Sequence, residues 1–208
     1  MTDSEGFRES AFSEAVTLRG EHVVLDPLGR EHTSELAQAV TDGELWKLWV
    51  TRIPAPHEMA AEVDRRLSLH AKGSMVPWTI RDATTGRAVG MTTYMNVRPD
   101  NRHLEIGSTW LAASAQGTAI NPEAKLLLLT RAFEELDCVA VEFRTHWHNR
   151  QSRRAIEALG AKQDGVLRNY ELWRDGSVRD TVAYSIIHGE WPSVRLELSE
   201  RVRRFQAG

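Results

Sequence analysis

The sequence contains almost no cysteine: Cys138 is the only one among 208 residues. One thiol cannot form an intramolecular disulfide, and it cannot supply a cysteine-based zinc or iron–sulfur site. Redox chemistry on paired thiols is excluded for the same reason. This composition predicts a reducing, cytoplasmic location.

The chain also lacks a long hydrophobic run and a surplus of charge of one sign. No stretch approaches the roughly 18 consecutive apolar residues that a membrane-spanning helix requires, and the first ten residues are too polar for a secretory signal. The 26 Lys and Arg residues against 29 Asp and Glu residues give a net charge of −3, without the basic surplus typical of nucleic-acid-binding proteins. We therefore expect no membrane partner and no nucleic-acid partner.

Two common nucleotide-binding motifs are missing as well. The chain contains neither GxxxxGK followed by Ser or Thr nor GxGxxG, so it has no Walker loop and no Rossmann fingerprint. Nucleotide hydrolysis and hydride transfer are therefore not expected.

The chain does contain a continuous alternation of strand and helix patterns, with no linker, repeat or low-complexity tract in the middle. We predict strands at 16–27, 76–81, 88–97, 103–111, 139–145, 165–173 and 178–188, and helices at 32–40, 43–50, 56–72, 122–136, 152–159 and 190–205. This order predicts one α+β domain with a mixed, mostly antiparallel central sheet flanked by helices. We expect a flexible lead-in at 1–14, the domain at 15–191 and a helical extension at 192–208.

The most informative segment is LAASAQGTAINPEAKLLLL, residues 111–129, where a strand runs into a loop of small residues and then into a helix. Gly117 permits backbone angles that other residues avoid, and we predict that Asn121 caps the helix with Pro122 in its first turn. Free amides and the positive end of a helix dipole suit a pyrophosphate. An ordinary strand–turn–helix junction is the alternative interpretation.

The second half of the chain carries further residues whose order resembles a known family. Asn149-x-x-Ser152 is followed by Leu159-Gly160, by Asp175-Gly176 with Asp180, and by the closing pair Glu190-Trp191. Together with Leu104-Glu105-Ile106-Gly107 and Gln116-Gly117-Thr118-Ala119, these residues resemble the GNAT superfamily of acyl-CoA-dependent N-acetyltransferases. Within it they resemble the branch of the ribosomal-protein alanine acetyltransferases, over about residues 16–191.

The resemblance implies a reaction and a cofactor. An enzyme of this family moves an acetyl group from acetyl-CoA directly to a primary amine in a ternary complex, and its central sheet is splayed at the cofactor cleft. The acceptor is then a small-molecule or peptide amine, and homodimers are usual in this branch. Three alternatives stay open: a non-catalytic acyl-CoA-binding regulator, an acyltransferase with a longer donor such as succinyl-CoA, and an interaction protein whose loop is only structural.

Candidate cofactor-binding residues lie in the loop, at the preceding strand end and at the start of the later helix. Amides at 116–120 are the predicted pyrophosphate donors, and the amide of Trp110 or Leu111 is the predicted donor to the acyl carbonyl. The complete set is Trp110, Leu111, Gln116, Gly117, Thr118, Ala119, Ile120, Asn121, Asn149 and Ser152. Asn149 is also a predicted helix cap, and Ser152 can instead serve only to satisfy backbone groups in the first helical turn.

Glu105 is the predicted general base, acting through water, because burial in a partly apolar slot raises a carboxyl pKa toward neutrality. A solvated strand carboxylate is the alternative, and Glu142 and Glu171 also lie on predicted strands. Alternation along 103–111 predicts one face with Leu104, Ile106, Ser108 and Trp110, and another with Glu105, Gly107, Thr109 and Leu111.

Two departures from the family's pattern bear on these roles. Ser114 stands at the leading position of the phosphate loop, where the family usually has Gln or Arg. Ile156 stands where one branch has a proton-donating Tyr, and Ala161 replaces a common Phe. Ser152 therefore becomes the candidate acid that protonates the leaving thiolate of coenzyme A.

Two further patterns invite a functional interpretation. His146 and His148 flank one residue, but no third ligand completes a metal site, so we assign them to an exposed strand end. Trp46 and Trp49 lie three residues apart on a predicted helix, which favours core packing over one wall of an acceptor pocket.

Overall fold

The computed structural model describes residues 11–173 and 175–205, and eight strands in this part of the chain form one sheet. The strands are β1 (Leu18–Arg19), β2 (Val23–Pro27), β3 (Met75–Asp82), β4 (Ala88–Arg98), β5 (His103–Leu111), β6 (Ala140–His146), β7 (Lys162–Leu172) and β8 (Val178–Ile187). Their order in the sheet is β1-β2-β3-β4-β5-β6-β8-β7. Neighbouring strands are antiparallel except β5 and β6, which run parallel, so the predicted mixed sheet is confirmed.

Helices cover both faces of this sheet. They are α1 (Thr33–Ala39), α2 (Met59–Ala71), α3 (Ile120–Thr130), α4 (Arg150–Glu157) and α5 (Trp191–Arg204). Leu36 of α1 and Met59 of α2 pack with Met91 of β4 in the smaller of two hydrophobic cores. The larger core lies on the other face, where Leu128 of α3 and Leu198 of α5 are buried. The sheet is therefore the middle layer, and the predicted α+β class is confirmed.

The first predicted strand is interrupted. Instead of one strand over 16–27, the chain forms β1 and β2 with a turn between them. The carboxylate of Glu123 in α3 accepts hydrogen bonds from the amides of Glu21 (2.9 Å), His22 (2.6 Å) and Val23 (2.9 Å). A buried carboxylate that binds three consecutive amides stabilises this turn and ties it to the start of α3.

The predicted helix over 43–50 is wrong. Only Leu45–Lys47 forms a turn of 3-10 helix. Gly43 and Glu44 have φ angles of 89° and 46°, which lie outside the right-handed helical region and prevent a continuous helix. Trp46 and Trp49 therefore do not share a helix face: Trp46 packs against the smaller core, whereas Trp49 is 59% exposed.

Helix α3 differs at both ends from the prediction of 122–136 with Asn121 as its cap. It begins at Ile120 and ends at Thr130, where a π-helical turn continues to Glu135. The Thr118 hydroxyl accepts a hydrogen bond from the amide of Ile120 at 3.3 Å, so the first turn forms earlier and Asn121 lies inside the helix. The cap prediction is wrong because a side chain in the loop already binds an amide at the helix start.

Segments at both ends of the described chain pack on the domain. Phe12 is 1% exposed, and Nη2 of Arg131 donates to the carbonyls of Ala11 (3.2 Å) and Glu14 (3.1 Å). Residues 11–14 of the predicted lead-in therefore belong to the packed domain, while residues 1–10 lie outside the described residues. The other predicted elements are confirmed, with ends that move by three residues at most. No helix within the described ranges is long and apolar enough to cross a membrane.

Candidate active site

A cleft opens between the two parallel strands of the sheet. β5 and β6 pair over a short stretch that ends at Glu105 and Glu142. Beyond it, β5 continues to Leu111 and β6 to His146 with no pairing between them. We call the paired end of this opening the closed end, and the end beside Leu111 and His146 the open end. The splayed sheet that the resemblance implies is present.

A β-bulge in β5 lies along this opening. Between the pairs Thr93–Gly107 and Met91–Trp110, β5 contains one residue more than β4. Ser108 adopts a φ of 46° at this point, in the left-handed region that is rare for residues other than glycine. Such bulges change the direction of side chains and backbone groups that follow them.

The predicted alternation along β5 is wrong after Gly107. Leu104 and Ile106 share a face as predicted, in the larger core, but Leu111 lies there with them. Trp110 lies in the smaller core, on the other face. The extra residue of the bulge moves every later side chain to the opposite face.

The backbone amide of Leu111 points into the cleft. The amide of Ala112 donates to the carbonyl of Val89, next to β4, at 2.8 Å. Since the amides of an antiparallel strand alternate between its two edges, the Leu111 amide lies on the edge facing β6 and the Trp110 amide points back to β4. Of the two predicted donors to an acyl carbonyl, the structure brings Leu111 to the cleft and leaves Trp110 outside it.

The loop before α3 leaves several amides open. Gly117 has a φ of 75°, and the amides of Gly117, Thr118 and Ala119 donate to no acceptor among the residues that the structure describes. Asn121 lies in the first turn of α3, where amides have no intrahelical acceptor. Open amides at a helix start form a binding site for an anion.

Two other predicted amide donors in this loop are occupied. The Gln116 amide donates to the carbonyl of Ala113 at 3.1 Å, and the Ile120 amide donates to the Thr118 hydroxyl. The Gln116 side chain has a bridging role instead. Its Oε1 accepts from Nε2 of Gln151 in α4 at 3.0 Å, so the starts of α3 and α4 lie side by side at the open end.

Helix α4 has the predicted cap. Oδ1 of Asn149 accepts a hydrogen bond from the amide of Ser152 at 3.0 Å. The Ser152 hydroxyl has no hydrogen-bond partner within the described ranges, and the side chain is half-buried. This hydroxyl is therefore free to donate to a bound ligand.

Glu105 lies at the closed end. It is 4% exposed, accepts a hydrogen bond from Nδ2 of Asn96 at 2.8 Å, and lies 3.6 Å from Nε of Arg144. Burial raises the pKa of Glu105, while the hydrogen bond from Asn96 and the charge of Arg144 oppose this shift. An extended strand rises about 3.3 Å per residue, and the bulge shortens β5, so Glu105 and Leu111 lie at most about 20 Å apart along the strand.

Four rings form an aromatic cluster at the open end: Trp49, His146, His148 and Trp173. The ring of His146 lies 5.2 Å from that of Trp49 and 5.7 Å from that of Trp173. The His148 amide donates to Nδ1 of His146 at 3.0 Å, and burial together with the charge of Arg179 lowers the pKa of His146. The imidazole is therefore neutral at pH 7, with its proton on Nε2. No group of three or more His, Cys, Asp or Glu side chains in the described residues is placed to hold a metal ion.

Glu171 of β7 lies beside the aromatic cluster. Its carboxylate accepts from Nη1 of Arg52 at 2.7 Å and lies 3.4 Å from Nη1 of Arg179. Both guanidinium groups lie over the ring of Trp173, at 4.5 Å and 4.7 Å from its centroid. The open end therefore combines aromatic surface with one carboxylate held between two cations.

Comparison with known proteins identifies the family. Residues 22–162 match the family model described as an acetyltransferase (GNAT) domain. The chain belongs to the GNAT acetyltransferase family. The predicted family and fold are thus confirmed, and the GNAT family's general activity is the acetyl transfer that the resemblance implies.

Individual GNAT relatives agree with this assignment. A Bacillus subtilis (strain 168) protein named, provisionally, ribosomal N-acetyltransferase YdaF is 35% identical over 106 residues, which are 51% of this chain and 57% of that protein. The match thus spans little more than half the length of that relative. A structure from T. thermophilus, described provisionally as an acetyltransferase, is 34% identical with a TM-score of 0.78 over 89% of this chain and 96% of that one. Mycobacterium smegmatis RimJ in complex with CoA-disulfide shares the fold, with 20% identity and a TM-score of 0.77 over 91% of this chain and 96% of RimJ.

Sequence reasoning missed part of this GNAT site. Trp173 and Arg179 lie on either side of one hairpin turn, and only the folded chain brings Arg52 to them. The sequence offered Trp49 as one wall of an acceptor pocket, but the incorrect helix assignment over 43–50 favoured core packing instead. The buried Lys125 was also missed, because the helical pattern placed it away from the apolar side of α3.

Proposed function

We propose that this protein is an N-acetyltransferase that moves an acetyl group from acetyl-CoA to a primary amine in a ternary complex. The observation that carries the proposal is the group of open amides at Gly117, Thr118 and Ala119, next to a cleft into which the Leu111 amide points. Family membership supports it, because acetyl transfer to an amine is the general activity of GNAT acetyltransferases.

The loop and the two helix starts suit coenzyme A. The open amides and the dipole of α3 favour the negative charge of a pyrophosphate. The amide of Ser114, at the leading position of the loop, donates to Oδ2 of Asp42 at 3.0 Å. Backbone amides rather than a long side chain therefore make the phosphate contact in this chain. Asn149 and Ser152 contribute the α4 side of the same entrance.

The chemical step needs a donor to the carbonyl oxygen and a proton for the leaving thiolate. The Leu111 amide stabilises the negative charge that develops on the thioester oxygen as the amine nitrogen attacks the carbonyl carbon. The carbon–sulfur bond then breaks, and the Ser152 hydroxyl donates its proton to the thiolate. A base removes one proton from the amine nitrogen and returns it through solvent to the Ser152 oxygen, which leaves an amide and free coenzyme A.

Two carboxylates compete for the role of that base. Glu105 has the raised pKa of a general base, but it lies at the closed end, five β4 residues along the sheet from Leu111, or about 17 Å. Glu171 lies at the open end beside the aromatic cluster. A base must lie close to the amine that attacks the acyl carbonyl, and Glu171 lies at the same end of the cleft as the Leu111 amide, so we propose Glu171 as the base. Glu105 stays the alternative from the sequence, acting through a longer chain of waters.

The acceptor that we propose is the N-terminal amine of a protein. The name of YdaF supports this class, since it is that of a ribosomal N-acetyltransferase. The exposed Trp49 and the rest of the aromatic cluster offer apolar surface to the first residues of a peptide. A cytoplasmic location and a homodimer are further proposals for this chain.

The decisive experiment measures thiol release from acetyl-CoA with peptides and with small amines as acceptors. We expect release that depends on the amine, with peptides that carry a free N-terminus preferred over the same peptides with a blocked N-terminus. Succinyl-CoA in parallel tests the longer donor. Binding of coenzyme A without any amine-dependent thiol release would instead support the non-catalytic regulator.

A further inference from the structure

We propose that Arg66 and Lys125 are positioning residues that hold the β5 bulge from opposite faces of the sheet and thereby aim the Leu111 amide at the acyl carbonyl. The inference rests on the proposed function. It assigns a role to two buried cations, one in α2 and one in α3, that lie outside the phosphate loop and the aromatic cluster.

The bulge requires support because it interrupts the backbone ladder. Carbonyls that lose their strand partner need another donor when water is excluded. The Gly107 carbonyl accepts from the hydroxyls of Thr93 (3.0 Å) and Thr109 (3.3 Å). The Ser108 carbonyl accepts from Nη2 of Arg66 at 3.1 Å. Side chains therefore replace the missing ladder bonds on both sides of the extra residue.

Lys125 supports the bulge from the α3 face. Its Nζ donates to the hydroxyl of Thr109 at 3.0 Å and to that of Thr92 at 3.3 Å, and these two hydroxyls lie 2.8 Å apart. The side chain is 6% exposed and forms no ion pair within the described ranges. Burial lowers the pKa of Lys125 to about 7. A buried amine without a counter-ion is unfavourable for folding, which points to a role other than stability.

Arg66 supports the bulge from the α2 face. It is 2% exposed and pairs with Glu62 at 2.7 Å in the same helix. Its Nη1 is buried and donates to no acceptor in the described chain. The guanidinium is therefore held at Ser108 by one hydrogen bond to the bulge and by the Glu62 carboxylate.

Both contacts lie close to the group that they are proposed to aim. Thr109 precedes Leu111 by two residues and lies on the same face of β5. Stabilisation of a developing oxyanion depends on the position of its donor, and an error of about 1 Å reduces the rate strongly. A bulge fixed from both faces keeps the Leu111 amide at one position and one angle.

The test compares variants that remove the contacts to the bulge on either face of the sheet with a control variant at another buried arginine. Lys125→Met, Arg66→Met and Thr109→Val remove the contacts, whereas Thr109→Ser keeps the hydroxyl that Lys125 binds. Arg131→Met is the control, because Arg131 is 5% exposed and binds Glu135 and backbone carbonyls near residue 11 instead of the bulge. For each protein we would measure kcat, KM for acetyl-CoA, the melting temperature, and the calorimetric affinities for acetyl-CoA and coenzyme A.

We expect the three contact-removing variants to lower kcat by about tenfold or more while KM for acetyl-CoA changes less than about threefold. Thr109→Ser should keep the kcat of the wild type, and the double variant Lys125→Met with Thr109→Val should lose no more kcat than the worse single variant.

Lys125→Met should melt at a higher temperature than the wild type, because a buried unpaired charge is removed. Arg131→Met should lower the melting temperature with kcat unchanged. We expect the wild type to bind acetyl-CoA more tightly than coenzyme A, and we expect the three variants to lose this preference.

Two results would overturn the inference. If the wild type is active and the bulge variants keep its kcat and its preference for acetyl-CoA, the positioning role is wrong while the proposed function stands. If the wild type binds neither acetyl-CoA nor coenzyme A, the proposed function fails and the inference fails with it. Should one variant not fold, Thr109→Val against Thr109→Ser gives the same comparison with a smaller change.

Discussion

Lys125 couples the stability of the protein to pH through one buried amine. Burial lowers the pKa of Lys125 from its ordinary value of 10.5 to about 7. In the unfolded chain the amine keeps the ordinary pKa, so between about pH 7 and pH 10 the unfolded state binds more protons than the folded state. The free energy of unfolding therefore rises with pH in this window, and below it the cost of the buried charge is constant.

This yields a prediction for Lys125→Met. The wild type should gain about 1.4 kcal/mol of unfolding free energy per pH unit relative to the variant between pH 7 and pH 9. Urea unfolding of both proteins at pH 7.5 and pH 9 measures the difference, and comparison with the variant cancels the titration of other groups. Equal pH slopes for the two proteins would show that Lys125 does not titrate there.

A second residue-scale prediction concerns the base. Glu171→Gln should lower kcat by about 10²-fold or more and remove the acidic limb of the pH profile, because the variant removes the carboxylate that we propose as the base. Glu105→Gln should lower kcat by less than about tenfold. Steady-state kinetics from pH 5 to pH 9 test both variants. The reverse ranking would assign the base to Glu105.

Residues with a motif around them could be recognised in the sequence, and isolated ones could not. Asn149 was predicted as a helix cap from its residue type at the start of a helix, and the structure confirms the cap. Lys125 and Arg66 belong to helical segments in which a charged residue ordinarily faces water. Their burial depends on Thr109 and Ser108 of β5, which lie 16 and 42 positions away along the chain.

At the scale of elements, the phosphate loop gives a third prediction. Gly117 and Gly73 have positive φ angles of 75° and 69°, and a Cβ at either position would meet nothing within 4 Å. Gly117→Ala and Gly73→Ala should therefore lose about the same stability, roughly 1 kcal/mol. Only Gly117→Ala should weaken coenzyme A binding, by about tenfold, since it disturbs the open amides.

Calorimetric titration with coenzyme A and thermal melts of both variants test this prediction. Gly73 follows α2 at a distance from the loop, so it controls for backbone strain alone. Equal affinities in the two variants would remove the loop from the coenzyme A site.

Strand and helix assignments were accurate where periodicity was regular and inaccurate where a side chain changed the backbone. The strand at His103–Leu111 was predicted with its observed ends, yet its facing pattern was wrong after Gly107. Periodicity indicates that a segment is extended, but it does not indicate a β-bulge, in which one strand has a residue more than its neighbour. The turn before β2 was missed for a related reason, since it is held by Glu123 from a distant helix.

At the scale of the whole molecule, binding of coenzyme A should stabilise the fold. The candidate ligand site joins β5, α3 and α4, which all contribute to the larger core. Coenzyme A at about 100 times its dissociation constant should add roughly 2.7 kcal/mol to the free energy of unfolding. For a domain of this size the melting temperature should rise by about 5–10 °C. No shift at saturating coenzyme A would contradict the proposed donor.

The order of motifs along the chain was enough to predict the family, the mixed sheet and the loop before α3, because these depend on local patterns and short spacings. The folded chain was needed to choose Leu111 over Trp110, to gather Trp49, His146 and Trp173, and to bury Lys125 under the bulge. Those features arise from contacts between segments far apart in sequence. Their geometry depends on strand register and packing, which no local pattern contains.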